Sequence, residues 1–276
     1  MDNSSWRDSA RVYLVEGAPA ASTQSARQTA WRQWSSVAAG SGKEVYLDDT
    51  LPSEDLVLDW VAHLAFVWRL KASTIKGKLG HLNAKHVTAG KGAPLDGFKR
   101  VRIAMETLKK AAGAPNKKHP AGPPILEECQ RLASSWSLKD RVVLRGILTT
   151  GFGFLLRSSE YLSRGEAGWD LGKVLRGMDV SFRKDGVALP LNRVAGTNEV
   201  SIFLRESKTD QYDEGAQLTH NLAGESAMSL CVVRALRDTA LVFPERFGME
   251  KHRPLFRWES GKAVTRDEVR RILAKG

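Results

Sequence analysis

The sequence lacks the features that define several large classes of protein. The longest uncharged stretch near its middle, residues 146–156, is too short to cross a bilayer. The N-terminus has no basic start followed by an apolar run, so no signal peptide is predicted. Only two cysteines occur, Cys129 and Cys231, and they are far apart. This excludes a disulfide framework and favours a reducing compartment, so we expect an intracellular protein, nuclear in a eukaryotic source.

Motifs for several enzyme classes are also absent. The sequence has no Gly-x-x-x-x-Gly-Lys-Ser/Thr loop, no Gly-x-Ser-x-Gly elbow and no His-Glu-x-x-His. The six histidines are dispersed, and none forms a zinc-like pair with a cysteine. We therefore expect no metal and no cofactor, and no membrane association. A nucleotide-driven motor, a metalloenzyme and a serine hydrolase lack support.

What the sequence does have is a localised positive charge. The chain has 276 residues and a net charge of +11. Residues 69–118 contain 13 basic and 2 acidic residues, which equals the whole excess. A local basic field indicates a polyanionic partner, and a solvated surface that only keeps the protein soluble is the alternative. We expect double-stranded DNA to be bound by the following residues: Lys71, Lys76, Lys78, Lys85, Lys99, Arg100, Arg102, Lys109, Lys117 and Lys118.

The length and the apolar spacing predict two domains. Residues 1–22 are predicted to be a loose leader, and 23–110 a module of four short helices with basic outer faces. Apolar residues from Leu56 to Trp68 recur at helical spacing, and the tryptophans among them are expected in the core. Residues 111–124 contain four prolines and two glycines, which favours an extended linker.

Residues 125–276 combine helical patterns with a smaller β-rich part. Helices are predicted at 125–134, 138–149, 154–162 and 227–241. After Gly177 the apolar period becomes two, which predicts strands at 178–183, 186–189 and 199–205. Thr265 and Glu268 form a capping box that starts a last helix. That helix is short before Gly276, so we expect a chain that stops early. The fold class is therefore mainly α with a small β-sheet.

Two short segments carry candidate chemistry. In residues 151–162, Arg157 is expected inside an apolar helix with Glu160 three residues later. This pair is either an ordinary salt bridge or a half-buried guanidinium that Glu160 orients toward a phosphate. In residues 205–211, Lys208 follows a strand and is expected at a hairpin turn. It either belongs to a plain polar turn or reaches a nucleic acid and protonates an alkoxide leaving group.

Together these segments resemble the tyrosine recombinase and phage integrase family. Residues 156–162 are similar to its Gly-Leu-Arg-x-x-Glu-Leu segment, and 207–211 to its Ser-Lys-Thr segment. Ser73-Thr74-Ile75 and Asp179-Val180 also look like family positions. The resemblance covers about residues 24–276 and is closer to the integrase-like genes of eukaryotic mobile elements than to bacterial chromosome-dimer resolvases.

The resemblance implies a helical core-binding domain at 23–110 and an α+β catalytic domain at 125–276. It also implies metal-free DNA strand exchange, in which a tyrosine attacks a phosphate and forms a phosphotyrosyl link. Arg157 would then be the first catalytic arginine, Lys208 the acid and Glu160 a supporting residue. A homo-oligomer on DNA is compatible with this interpretation.

The sequence departs from the family in the remaining catalytic residues. No histidine is followed three residues later by arginine, and none of the four tyrosines lies where the nucleophile should be. We therefore expect an incomplete catalytic domain that binds DNA and cannot cut it alone, with a partner chain that supplies the tyrosine in trans as one alternative. A non-catalytic DNA-binding remnant or regulator, and a helical nucleic-acid-binding protein without recombinase ancestry, are the others.

Overall fold

The computed structural model describes residues 21–113, 121–165, 172–205, 214–224 and 229–276. Backbone contacts divide the chain into two compact units, Met1–Lys118 and His119–Gly276. The division falls within residues 111–124, of which 114–120 lie outside the described part. The described residues are mainly helical and include one small antiparallel sheet, so the predicted coarse class is confirmed.

In its described part the first unit contains four α-helices: α1 (Ala21–Gly40), α2 (Leu51–Ala62), α3 (Ala72–Thr88) and α4 (Lys99–Ala111). Each helix turns an apolar stripe inward, because only this arrangement removes the large side chains from water. The side chains at the centre of this core are fully buried or nearly so: Trp34, Val57, Trp60, Leu64, Ile75 and Leu82.

The end of α2 differs from the sequence prediction. A π-helical turn, His63–Val67, follows α2, and its wider winding turns later residues away from the apolar stripe. Trp60 is 1% exposed, as predicted for the core, but Trp68 is 44% exposed. The core assignment of Trp68 was therefore wrong, because the prediction assumed an uninterrupted α-helical period.

The described part of the second unit contains five α-helices around its own core. They are α5 (Pro123–Leu132), α6 (Leu138–Gly153), α7 (Ser158–Tyr161), α8 (Val232–Val242) and α9 (Arg266–Leu273). α5 begins inside the residues assigned to the linker, since proline is well accommodated in a first helical turn. The capping box at α9 is confirmed: Thr265 Oγ1 accepts the Glu268 N–H at 3.3 Å, and the Glu268 carboxylate accepts the Thr265 N–H at 2.7 Å.

The sheet has the order β2-β1-β3-β4, with antiparallel pairing throughout. Its strands are β1 (Val180–Lys184), β2 (Val187–Ala188), β3 (Glu199–Leu204) and β4 (Ala216–Asn221). The predicted β1–β2 hairpin is confirmed, and both residues of its turn, Asp185 and Gly186, have positive φ. β4 was not predicted, because its side chains are mostly polar and exposed. No helix among the described ranges is long and apolar enough to cross a membrane.

Candidate nucleic-acid interface and phosphate-binding arginine

Charge is unevenly distributed over the first unit. The packed helices α1 and α3 contain no aspartate or glutamate. α1 carries Arg27 and Arg32, and α3 carries Lys76, Lys78 and Lys85. α2 has the opposite composition, with three acidic residues and no basic one. Two of these acidic residues interact with the basic helix α4: Glu54 accepts the Arg100 backbone N–H, and Asp55 pairs with the Arg100 side chain.

One arc of α3 meets α1 and forms what we call the α1–α3 face. Lys78 Nζ donates to Gln33 Oε1 on α1 at 2.5 Å. Burial, followed by the positive charges of Arg27 and Lys78, lowers the pKa of His81, which indicates that these cations lie close together. Helical spacing places further α3 residues on the same arc. The face comprises Arg27, Gln33, Thr74, Lys78, His81 and Lys85.

A second basic surface lies between α3 and α4, and we call it the α3–α4 groove. It encloses a cavity of about 740 Å³. Its floor is apolar and includes Leu79, Phe98, Val101 and Met105. Its rim carries four exposed cationic side chains: Lys76, Lys99, Arg102 and Lys109.

The predicted DNA-binding residues are therefore distributed over more than one surface. Lys78 and Lys85 belong to the α1–α3 face, whereas Lys76 points into the α3–α4 groove. Arg100 Nη1 pairs with Asp55 Oδ1 on α2 at 2.6 Å. Lys71 lies immediately before α3, and Lys117 and Lys118 lie outside the described residues. Arg27 and His81 were missed, although the absence of acidic residues from α1 was visible in the sequence.

In the second unit, the backbone around Arg157 differs from the helix that was predicted over residues 154–162. α6 ends at Gly153, and Leu155 adopts a left-handed conformation with φ of 54°. The Leu156 N–H donates to the Gly151 carbonyl at 2.9 Å, which closes the end of α6. Arg157 then precedes α7. The expectation of a helical, half-buried Arg157 was wrong, because the left-handed Leu155 delays the next helix until Ser158 and leaves Arg157 exposed.

Glu160 holds Arg157 at two points. The carboxylate of Glu160 is buried, and its Oε2 accepts the Arg157 backbone N–H at 2.8 Å. Its Oε1 accepts from Arg157 Nη1 at 3.0 Å. The expected pairing is confirmed, yet the Arg157 side chain stays 55% exposed. One edge of the guanidinium is thus fixed while the rest of its donors face solvent, a geometry suited to an anionic oxygen.

Lys208 lies outside the described residues, but the strands on either side of it are described. β3 and β4 pair from Glu199 opposite Asn221 to Leu204 opposite Ala216, so the segment with Lys208 connects two paired strands. His220 on β4 bonds through Nε2 to the Gly153 carbonyl at 2.6 Å. The end of α6 and the β3–β4 pair are therefore attached to each other. No sequence pattern pointed to His220.

A buried ionic cluster lies at the base of the β3–β4 pair. Asp179 is 8% exposed and pairs with the Arg205 guanidinium. Arg205 Nη2 also donates to the Val174 carbonyl at 2.6 Å, and the Arg176 N–H donates to Asp179 Oδ2 at 2.7 Å. This cluster fixes the end of β3 immediately before the segment with Lys208.

In the described part of the chain, no group of three or more histidine, cysteine, aspartate or glutamate side chains is arranged to hold a metal ion. Comparison with known proteins adds no family assignment: no protein-family model matches the chain, and no curated protein matches it.

Proposed function

We propose that this chain binds duplex DNA through the α1–α3 face. The observation that carries the proposal is the absence of carboxylates from both helices of that face, beside an acidic α2. Phosphate binding depends on cationic side chains. Burial lowers the pKa of Lys78, but within the described residues its hydrogen-bond partner is the neutral amide of Gln33 and not a carboxylate.

The shape of α3 supports the same assignment. Gly77 lies beside Thr74 and His81 on the exposed side of the helix, and a Cβ there would meet nothing within 4 Å. A phosphate backbone can therefore approach the helix closely, and the Thr74 hydroxyl adds a neutral donor. Contacts of this kind position a protein on DNA without reading its sequence.

For the second unit we propose a phosphate contact by Arg157 of the kind that the recombinase resemblance implies. Glu160 keeps the guanidinium in one orientation, which reduces the entropy lost when a phosphate binds. Lys208, on the segment between β3 and β4, would protonate the leaving 5′-oxygen.

We propose further that the chain alone does not cleave DNA. Among the described tyrosines, Tyr161 is 6% exposed, and burial raises the pKa of its hydroxyl, which opposes formation of a nucleophilic oxygen. A supercoiled plasmid incubated with the chain should stay uncut, and no covalent protein–DNA adduct should form. An adduct that survives denaturation would contradict this part of the proposal.

DNA binding is tested by fluorescence anisotropy with a duplex of about 30 base pairs over a salt series. The double variant Lys78→Glu/Lys85→Glu should bind more weakly, and its slope of log K against log salt should fall by about one for each lost phosphate contact. The control compares two single variants, Lys78→Glu on α3 and Lys110→Glu on α4, which make the same charge change on different helices. Equal losses of affinity in these two single variants would show that only net charge matters.

RNA binding is the second candidate, since the phosphate contacts proposed here would serve either polymer. A competing RNA duplex of the same sequence distinguishes the two, because A-form RNA presents a different groove geometry. Preference for the RNA duplex would favour the helical nucleic-acid-binding protein without recombinase ancestry.

A further inference from the structure

The α3–α4 groove differs chemically from the α1–α3 face, although both include α3. Its floor is formed by apolar side chains of both helices and of the turn between them, among them Leu79, Leu95 and Met105. A phosphate group has no apolar surface that would be buried on such a floor. Phe98, the aromatic residue of the floor, is only 4% exposed, so it offers no face on which a base could stack.

The rim of the groove is positively charged and open. Lys76, Lys99, Arg102 and Lys109 are all exposed. Within the described residues, none of these four forms an ion pair with a carboxylate of the chain.

The groove also has two acidic residues, and they do not neutralise its rim. Asp96 Oδ1 accepts a hydrogen bond from Asn83 Nδ2 at 3.0 Å. Glu106 is exposed on α4. Four rim cations therefore outnumber two carboxylates.

An apolar floor beneath a cationic rim is complementary to one kind of ligand. An amphipathic helix buries residues at i, i+3, i+4 and i+7 in a groove and places its other side chains at the rim. If those side chains are glutamate or aspartate, they meet the four cations. We infer that the α3–α4 groove binds an acidic amphipathic helix of a partner protein. This inference does not depend on the proposed DNA binding, since it uses a different side of α3.

The test uses a fluorescein-labelled peptide of about 18 residues, with leucine at i, i+3, i+4 and i+7 and glutamate at most other positions. Anisotropy with the full chain should show saturable binding. A peptide of the same composition, scrambled so that its leucines do not share a face, controls for charge alone. It should bind at least about tenfold more weakly.

Variants of the chain locate the site. Arg102→Glu/Lys109→Glu reverses two rim charges and should weaken peptide binding by about tenfold or more while leaving DNA affinity within about twofold. Lys78→Glu, on the other side of α3, should weaken DNA binding and leave the affinity for the peptide within about twofold. Met105→Gln tests the floor and should weaken peptide binding without changing net charge. Thermal unfolding of each variant establishes that the unit stays folded.

Four outcomes overturn the inference. The first is that the peptide does not bind, and the second is that it binds equally well after the two rim reversals. The third is that the two rim reversals reduce DNA affinity as much as Lys78→Glu/Lys85→Glu does, which assigns the groove to nucleic acid. The fourth is that sedimentation shows a self-associated chain that the rim reversals dissociate, which assigns the groove to a second copy of this chain.

Discussion

His220 Nε2 and the carbonyl oxygen of Gly153 lie 2.6 Å apart, and the imidazole donates this hydrogen bond. The same ring packs edge-on against Phe154, with ring centroids 4.9 Å apart. His220 lies on β4, and Gly153 is the last residue of α6, four residues before Arg157. The strand pair on either side of Lys208 and the segment with Arg157 are therefore joined by one polar and one aromatic contact.

The replacement His220→Phe should loosen this attachment. An aromatic ring at position 220 and its contact with Phe154 remain, but the Gly153 carbonyl loses its hydrogen-bond donor. We expect a cost of about 1–2 kcal/mol in the free energy of unfolding. Faster amide hydrogen exchange at residues 154–157 should accompany it. The exposed His252, changed to Gln, is the control and should alter neither quantity; equal exchange in both variants would argue against the attachment.

Two glycine replacements should have opposite effects on stability. A Cβ at Gly77 meets nothing within 4 Å, so Gly77→Ala should stabilise α3 by up to about 1 kcal/mol. A Cβ at Gly177 would clash with the Arg246 carbonyl oxygen, so Gly177→Ala should destabilise the second unit by about 2 kcal/mol or more. Denaturant unfolding measures both. If Gly177→Ala left the free energy of unfolding unchanged, the close contact between Gly177 and the Arg246 carbonyl oxygen would be contradicted.

Protonation of His86 should destabilise the first unit. His86 is 0% exposed; its Nε2 accepts the Leu47 N–H at 2.8 Å, and its Nδ1–H donates to the Leu82 carbonyl at 2.9 Å. Burial lowers the pKa of His86 below 6.5, so the unfolded chain binds the proton more strongly than the folded one. This contribution to stability is complete above pH of about 6.5 and is lost as the pH falls toward the folded pKa.

The pH effect is measured as the free energy of unfolding between neutral and mildly acidic pH. The variant His86→Leu removes the titrating group, so its stability should change less with pH in this range, even if its overall stability is lower. His81 contributes with the same sign, because its pKa is also lowered, and His81→Gln separates its share. An unchanged pH dependence in His86→Leu would contradict the assignment.

Glu54 should matter far more for stability than its neighbour Asp55. Glu54 is 6% exposed, and its Oε1 accepts the backbone N–H groups of Arg100 and Val101 at 2.6 and 3.3 Å, so it caps α4 from another helix. Glu54→Ala should cost about 1–2 kcal/mol. Asp55→Ala breaks only an exposed pair with Arg100 and should cost less than about 1 kcal/mol. Thermal denaturation compares the two, and equal costs would exclude the capping role.

Periodicity and turn chemistry predicted much of the fold. The apolar spacing of α3 and α4, the capping box at Thr265 and the turn at Asp185 and Gly186 depend on neighbours in sequence, so they were visible there. β4 was not, because its identity as a strand comes from pairing with β3 and not from its own side chains.

The candidate site was less predictable, because its geometry depends on distant residues. Arg157 and Glu160 are three apart, and their pairing was expected from that spacing. The helix end before Arg157 depends on a left-handed Leu155, which no pattern rule anticipates for leucine. His220 is 67 residues from Gly153 along the chain, so no local signal could join them. The division of the lysines over two sides of α3 likewise required the positions of α1 and α4.

α1, α3 and α4 each have a net positive charge and α2 has a net negative one, so the first unit has an electric dipole. Near a polyanion, such a dipole experiences a torque over about one Debye length, roughly 8 Å at physiological ionic strength, before any contact forms. The unit would therefore approach the polyanion with its positive helices already facing it. Added salt should then act chiefly by slowing association, and the lifetime of the bound state should respond less.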